Sequence, residues 1–295
     1  MLTIAIPTYE RGAILCETIA LLLALEPPAD EILIVDQTPR HPPDVEARLA
    51  TFEAAGAIRR IVLPAPSIPH AMNTALREAR GESVLFLDDD IIPAPDLAGA
   101  HLATLQATGA AAVVGQVLQP GEAPEHFDED TLRRGPLRDL EFRFRHDTAC
   151  DVQNVMAGNL SVDRARALAI GGFDERYTAV AYRFETDFAL RLTAAGGRIR
   201  FEPAASIRHL KIAGGGVRTW GDHRTSASPA HSQGDYYFAR RHVPAFWRYV
   251  ARRLAANVAT RYHLKHPWTI PAKLTGELRG LAAGLSLARR VEGRE

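Results

Sequence analysis

The chain has 295 residues, 46% of them hydrophobic and 24% charged, with a formal net charge of zero. That is enough for one large domain, or one domain with an appendage, and for a core that needs no covalent staples. The balanced charge argues against a polyanion binder. The two cysteines, Cys16 and Cys150, argue against a disulfide framework or a metal finger and suit a reducing compartment. No charged leader precedes the apolar residues from Leu2, and no apolar run reaches the ~20 residues that span a bilayer. The expected location is cytoplasmic, with any membrane contact peripheral.

Leu2 to Ile6 is an apolar run stopped by Pro7 and predicts a buried strand. Ile14 to Leu25 has helical spacing and ends before Pro27 and Pro28. Glu31 to Val35 predicts a second strand, Val45 to Ala55 a helix, Ile58 to Leu63 a third strand and Ala71 to Arg80 a helix closed by Gly81. Ser83 to Leu87 predicts a fourth strand that runs into Asp88, Asp89 and Asp90. Alternating strands and helices predict an α/β fold, a mostly parallel sheet flanked by helices. Ligands of such sheets sit beyond the carboxyl ends of the strands. Three polar stops lie there, Pro7-Thr8-Tyr9-Glu10, Asp36-Gln37-Thr38 and the aspartate triplet, and they are expected to converge.

A helix over Asp96–Thr108 and a strand over Ala111–Val117 come next, then an irregular polar stretch from Pro120 to Asp147. A strand over Val155–Val162, a short helix over Asp163–Ile170, a helix over Phe184–Ala195 and a strand from Arg198 that stops at Pro203 follow. The last sixty or so residues are strongly basic. Phe246, Val250, Leu254 and Val258, then Leu274, Leu278, Leu281 and Leu285, recur at helical spacing, predicting two amphipathic basic helices broken by Pro267 and Pro271.

Three adjacent carboxylates repel one another, so Asp88, Asp89 and Asp90 need compensation. A divalent cation supplies it, and hard oxygen ligands suit Mg²⁺ or Mn²⁺. The plainer alternative is an acidic loop that caps the next element.

Six stretches carry a resemblance: TIAIPTYERG (3–12), EILIVDQT (31–38), SVLFLDDDII (83–92), GGFDERY (171–177), ETDFALRL (185–192) and IRFEPAASIRHL (199–210). Taken in order, they resemble family 2 glycosyltransferases of the GT-A fold. The resemblance implies a GT-A catalytic domain over residues 1–215, with a nucleotide-sugar-binding half (1–95) and an acceptor half (96–215). A flexible loop and a C-terminal extension of basic amphipathic helices would follow over 216–295.

The resemblance assigns Pro7, Thr8, Tyr9 and Glu10 to the nucleotide base and ribose, Asp36 to the base, Asp88 to the ribose region and Asp90 to the metal. Asp89 is the less defined member of the triplet, and His209 corresponds to a metal or diphosphate ligand. Asn73 also matches the nucleotide-binding pattern, but the basic residue usual before it is Met72, leaving His70, Arg77 or Arg218 to meet a phosphate. Ala157-Gly158-Asn159-Leu160 resembles the lead-in to the acceptor side. Gly171-Gly172 is either a substrate turn or a helix stop, and Phe173 is read as core. Where relatives carry Glu-Asp, with the Asp as catalytic base, this chain has Phe184-Glu185-Thr186-Asp187; Glu185 takes the base position and Asp187 lies one step along. Both acids also suit a helix N-terminus. Gly214-Gly215-Gly216 with Arg218 reads as a flap over the diphosphate or as a plain flexible loop.

The implied function is inverting, metal-dependent transfer from a UDP- or dTDP-sugar to a glycan or lipid-linked acceptor. The basic tail would rest on the inner face of a membrane, pack on the catalytic domain or form a dimer contact. Nothing resembles a base-reading motif for nucleic acid. One rival is a catalytically degenerate binding or scaffold protein. Another is a nucleotidyltransferase, which predicts a glycine-rich basic loop where PTYERGAIL has a single glycine.

Overall fold

The computed structural model describes residues 1–128, 142–212, 214–216 and 221–292. They fall into two compact units, Met1–Phe173 with Phe188–Gly216, and Asp174–Asp187 with Val217–Glu295.

The first unit is built on a nine-stranded sheet. Its strands are β1 (Leu2–Thr8), β2 (Glu31–Asp36), β3 (Arg59–Val62), β4 (Ser83–Leu87), β5 (Ile91–Pro93), β6 (Ala112–Leu118), β7 (Cys150–Asp151), β8 (Asn159–Asp163) and β9 (Ile199–His209). The order is β3-β2-β1-β4-β8-β6-β9-β5, with β7 paired to β9. β1 to β4 are parallel, as the alternating pattern predicts. β8 enters antiparallel between β4 and β6, and β5 runs antiparallel to β9. Helices α1 (Ala13–Leu23), α2 (Pro43–Ala54), α3 (Ile68–Glu78), α4 (Leu97–Thr108) and α5 (Arg164–Ala169) complete the layers, each within a few residues of its predicted span. Ile4, Ile6, Ile34, Leu85 and Leu87 pack with Leu15, Ile19 and Leu22 of α1 in one core, which fixes where the strand ends emerge. The helix α6 (Phe184–Ala194) has its first turn in the second unit and its remainder in the first.

Two strands depart from the sequence reading. β9 continues through Pro203 to His209. Pairing with β6 jumps there from Gly115↔Glu202 to Gln116↔Ser206, so the proline falls in a bulge where no ladder N–H is required. Ile91–Pro93 follows the aspartates as a short strand because the extended β9 gives it a partner, Ile91 opposite His209. Of the irregular stretch from Pro120 to Asp147, residues 129–141 lie outside the described residues, as does Arg218.

Beneath the sheet lies a buried polar knot. His101 of α4 meets Asn159 Oδ1 at 2.8 Å and Ser161 Oγ at 2.9 Å. The Asn159 amide donates to the carbonyls of Gln116 (3.0 Å) and Ala205 (2.8 Å). Asn159, which the sequence placed on the way to the acceptor side, is thus fully buried, bonding across β6, β8 and β9.

Among the described residues, the second unit holds four more α-helices, α7 (Gln233–His242), α8 (Phe246–Val258), α9 (Arg261–Lys265) and α10 (Ile270–Glu292). α7 has no counterpart in the sequence reading: its run of buried residues, from Gly234 to Ala239, has no amphipathic period to detect. Pro271, expected to break a helix, sits in the first turn of α10, where its missing N–H costs nothing. α10 lies close along α7, where a Cβ on Gly284 would come within 2.8 Å of the Tyr237 nitrogen, and along the segment before α7, where one on Gly276 would come within 2.6 Å of the Ser226 oxygen.

The carboxylates of Asp235 on α7 and Glu277 on α10 are buried. Asp235 takes Arg183 (3.1 Å), Arg253 (2.7 Å) and the Tyr249 hydroxyl (2.6 Å). Glu277 takes Lys273 (2.7 Å), Arg253 (3.2 Å), the Tyr236 hydroxyl (2.8 Å) and Asn257 (3.1 Å). Burial works against the Glu277 charge, but Arg253 and Lys273 prevail and hold its carboxyl below the usual range.

Burial lowers His101 to about 4, against the pull of Asn159, so the folded ring is neutral while an unfolded one titrates near its ordinary value of 6.5. Between those values only the unfolded chain takes up the proton, so stability is lost as pH falls through that window, by about 3 kcal/mol in total. Denaturant unfolding from pH 7 to pH 4 is expected to show this slope, and His101→Gln is expected to flatten it.

Candidate active site

The carboxyl ends of β1, β2 and β4 do converge. The Thr8 hydroxyl at the end of β1 donates to Asp89 Oδ2 at 2.7 Å. The Gln37 N–H donates to the Thr8 carbonyl (2.9 Å), and the Glu10 N–H to the Thr38 hydroxyl (2.9 Å). Pro7, Thr8, Tyr9 and Glu10 thus lie against Asp36-Gln37-Thr38, with the aspartate triplet beside Thr8. Asp36 is buried at the end of β2: Oδ1 accepts the Thr38 N–H (2.9 Å), and Oδ2 lies 2.7 Å from His41 Nε2 and 3.7 Å from Arg60. It caps no helix, since α2 starts at Pro43 with Pro42 as its cap.

The three aspartates are sorted by environment. The Asp88 side chain is 49% exposed, while those of Asp89 and Asp90 are 8% and 0% exposed. Gly158 makes room for Asp88, because a Cβ there would stand 2.2 Å from Asp88 Oδ2. Asp89 turns inward, where Oδ1 is 2.9 Å from Arg11 Nε. Burial pushes its carboxyl up to about 7, opposed by Arg11 and the Thr8 hydroxyl.

Asp90 gathers the chain leaving β9. Its carbonyl accepts the Leu210 N–H (2.9 Å) and its Oδ2 accepts the Ile212 N–H (3.0 Å). Its Oδ1 is buried and lies 3.2 Å from His209 Nε2 in a geometry that closes no hydrogen bond. Burial works against the Asp90 charge, but His209, the Ile212 N–H and Arg11 hold its carboxyl below the usual range. Asp90 in turn raises the His209 imidazole above its ordinary value. His209 Nε2 is also 4.0 Å from Asp88 Oδ2. Two carboxylates and one imidazole, with a buried oxygen lacking a hydrogen bond, are a donor set that fits Mg²⁺ or Mn²⁺.

Arg11 was missed in the sequence, although three carboxylates demand a counter-cation and Arg11 is the basic residue of the facing loop. Besides Asp89 it reaches Asp90 Oδ2 (3.7 Å) and donates to the carbonyls of Ile212 (3.1 Å) and Gly214 (2.9 Å). The Gly216 N–H donates to the Tyr9 carbonyl at 2.7 Å. The described part of the glycine loop is therefore laid across Tyr9–Arg11. His41 and Arg60 were also missed, because neither shares a motif with Asp36 and only the fold brings them to it.

The Asn73 amide holds a main-chain turn. Its Nδ2 donates to the Phe173 carbonyl (2.7 Å) and its Oδ1 accepts the Phe173 N–H (2.8 Å), clamping the Gly171–Phe173 turn. Gly172 has φ +66°, and a Cβ there would strike Asn73 Oδ1 at 2.3 Å, so the glycine is required for the clamp. Phe173 is core, stacked on Phe188 at 4.2 Å.

In the second unit, Glu185 and Asp187 share the first turn of α6 but not an environment. Asp187 is fully buried, and its Oδ1 receives Arg241 (2.7 Å) and His242 (2.7 Å) from α7. Arg241 also meets Asp174 at 3.0 Å, and the Tyr237 hydroxyl donates to the same carboxylate at 2.6 Å. Glu185 is half-buried.

Another group of potential ligands, His126, His146 and Asp147, lies together among the described residues. His126 meets Asp147 at 2.9 Å, and His146 Nδ1 already accepts the Phe127 N–H at 3.2 Å, so the group has partners without an ion.

A mixed α/β sheet with acidic residues gathered at its parallel strand ends has the architecture of the GT-A glycosyltransferases. GalNAc-T7 with UDP, GalNAc and Mn²⁺ is similar in fold, with a TM-score of 0.58 at 12% identity, over 83% of this chain and 52% of that one. TarS 1–349 of S. aureus in complex with UDP-GlcNAc gives 0.59 at 15% identity, over 80% and 64%. The mannosyltransferase PcManGT of Pyrobaculum calidifontis, in complex with GDP-Man and Mn²⁺, gives 0.55 at 19% identity, over 99% and 78%. The chain thus spans about half the length of GalNAc-T7. No curated protein matches it. The model of Glycosyl transferase family 2 matches residues 3–165, more than half of the chain. The chain belongs to glycosyl transferase family 2.

Arg11→Met removes the guanidinium that ties the glycine loop to Asp89. Amide exchange at Ile212 and Gly216 is expected to speed at least ~10-fold while the β1 and β2 amides stay protected. Unchanged exchange would show that the loop is held by other contacts.

Proposed function

We propose that the chain is an inverting, metal-dependent glycosyltransferase, acting on a UDP- or dTDP-sugar and a glycan or lipid-linked acceptor at the cytoplasmic face of a membrane. The observation that carries this reading is the buried Asp90 Oδ1, without a hydrogen bond, facing His209 beside Asp88 at the mouth of β4. Mn²⁺ beside a nucleotide or a nucleotide sugar in two of the similar structures supports it.

In this reading Asp90 and His209, with Asp88 beside them, would hold Mg²⁺ or Mn²⁺, which would supply positive charge for the diphosphate leaving group. Thr8, Tyr9, Glu10 and Asp36 bind the nucleoside; the bonds from Thr38 and His41 keep the Asp36 carboxylate in one orientation. Binding energy from this part of the donor is remote from the reacting carbon. Asn73 acts by holding the Gly171–Phe173 turn and Asp89 by fixing Thr8 and Arg11, so both are positioning residues.

Glu185 takes the proton of the acceptor hydroxyl as that oxygen bonds to the anomeric carbon. The bond to the diphosphate oxygen breaks with its electron pair, inverting the carbon. Asp187 is the poorer base, because Arg241 and His242 both bind its buried carboxylate, and a proton there would have to displace them. Its role is to anchor the first turn of α6.

Asp90→Ala is expected to lower Mn²⁺-dependent donor hydrolysis at least ~100-fold. Calorimetric binding of nucleoside diphosphate with Mn²⁺ should weaken with it. If the wild-type chain binds no nucleoside diphosphate in the presence of Mn²⁺, the scaffold reading replaces this one. Glu185→Gln is expected to keep that binding and to lower transfer by about 10²–10⁴-fold. Full activity in Glu185→Gln removes the base assignment.

A further inference from the structure

From Val243 to Val291 the sequence holds nine lysines and arginines and a single acid, Glu277. Glu277 is fully buried and ion-paired to Lys273 and Arg253, so it adds nothing to the exterior. Arg248, Arg252, Arg261, Lys265, Arg279 and Arg289 are exposed, with Arg290 beside the last of them. Along α8, α9 and the described side chains of α10, every exposed ionised group is therefore positive.

The same helices, with the turn before α10, also expose large apolar side chains. Leu264 is 73% exposed, Trp268 71% and Trp247 67%, with Leu274 and Leu278 also open on α10. The turn that carries Leu264 and Trp268 is firmly built. The Thr260 hydroxyl caps α9 by accepting the His263 N–H (3.2 Å), and buried His263 meets the Arg224 carbonyl at 2.9 Å. Tyr262 stacks on His266 at 4.5 Å, and His266 meets the Trp268 ring edge-on at 5.2 Å. The inward side of the turn is anchored, and its outward side presents Arg261, Leu264, Lys265 and Trp268 to solvent.

We propose that this turn and the basic outer faces of α8 and α10 form a docking surface for an anionic lipid bilayer. Leu264 and Trp268 enter the headgroup layer, and the surrounding arginines and lysines pair with lipid phosphates. Tryptophan suits that interface because its ring is apolar with a polar N–H. Basic side chains with long apolar stems can reach phosphates while the stems stay in the apolar layer. No described helix is long and apolar enough to cross a membrane, so the contact lies on the surface. A nucleic acid would use the charges but gives a solvent-exposed leucine nothing to pack on. A second copy of the same face would bring like charges together. The surface does not rest on the transferase reading, because it includes none of the residues assigned to donor, metal or base.

The full chain, without donor or acceptor, is sedimented with vesicles of phosphatidylcholine alone or with about a third phosphatidylglycerol, at low and high salt. Binding is expected only with the anionic lipid, weakening as salt rises and shifting tryptophan emission to the blue. The double variant Leu264→Ser, Trp268→Ser is expected to bind at least ~10-fold more weakly. Arg248→Glu with Arg252→Glu is expected to do the same. Both change exposed positions, and unchanged circular dichroism confirms the fold. Equal binding to neutral and anionic vesicles, or an unaffected Leu264, Trp268 variant, overturns the proposal. So does absence of vesicle binding accompanied by RNA binding, or by self-association that the double variant abolishes. Donor hydrolysis measured on the same samples separates this outcome from failure of the transferase reading.

Discussion

Three carboxylates joined by two peptide bonds cannot all face the same surroundings, and the first unit is organised around dividing them. Asp88 stays toward solvent because Gly158 leaves room for it. Asp89 turns inward to Thr8 and Arg11, which fastens the end of β1 to the end of β4. Asp90 faces the chain leaving β9 and fixes Leu210 and Ile212 through their N–H groups. Charge repulsion is thereby relieved by leaving one carboxylate toward solvent and turning the other two into attachments to different parts of the fold. Only one oxygen of the arrangement, Asp90 Oδ1, stays buried without a hydrogen bond.

The second unit solves a similar problem differently. Asp235, Glu277 and Asp187 are buried, and each is matched by arginine, lysine or histidine, with hydroxyl or amide donors added at Asp235 and Glu277. Ion pairs of this kind contribute little net stability but make partner loss costly, so they fix which helix faces meet. Glu277 is thereby drawn inside, and the exposed ionised groups of α8 and α9 are all positive. The close passage of α10 along α7 needs glycines at Gly280 and Gly284, so these two helices meet through backbone as well as through the Tyr236–Glu277 hydrogen bond.

The departures from the family pattern have physical explanations in part. Asn73 keeps its place because its amide clamps both main-chain groups of Phe173, a task independent of the residue before it. Glu185 and Asp187 are two residues apart on one helical turn, and pairing with Arg241 and His242 distinguishes them. Nothing in the structure explains why Met72 stands where relatives carry a basic residue.

The parallel half of the sheet was legible in the sequence because β1, β2 and β4 are continuous apolar runs ending in polar stops, and each run is a local property of the chain. The same locality made the convergence of Thr8, Asp36 and the aspartates readable, since parallel strands must end on one side. β5 and the long β9 were not readable, because each exists through pairing with a distant strand, and a bulge absorbs the proline that reads as a stop. Arg11 at Asp89, His41 at Asp36, and Arg241 and His242 at Asp187 were likewise decided only by tertiary structure. A charge's partner is set by what burial brings near it, and spacing along the chain carries no record of that. The sequence by itself determined the fold class and which acids stand at the strand ends. The folded chain decided which of those acids face solvent and which are locked inside, because desolvation acts on position in space.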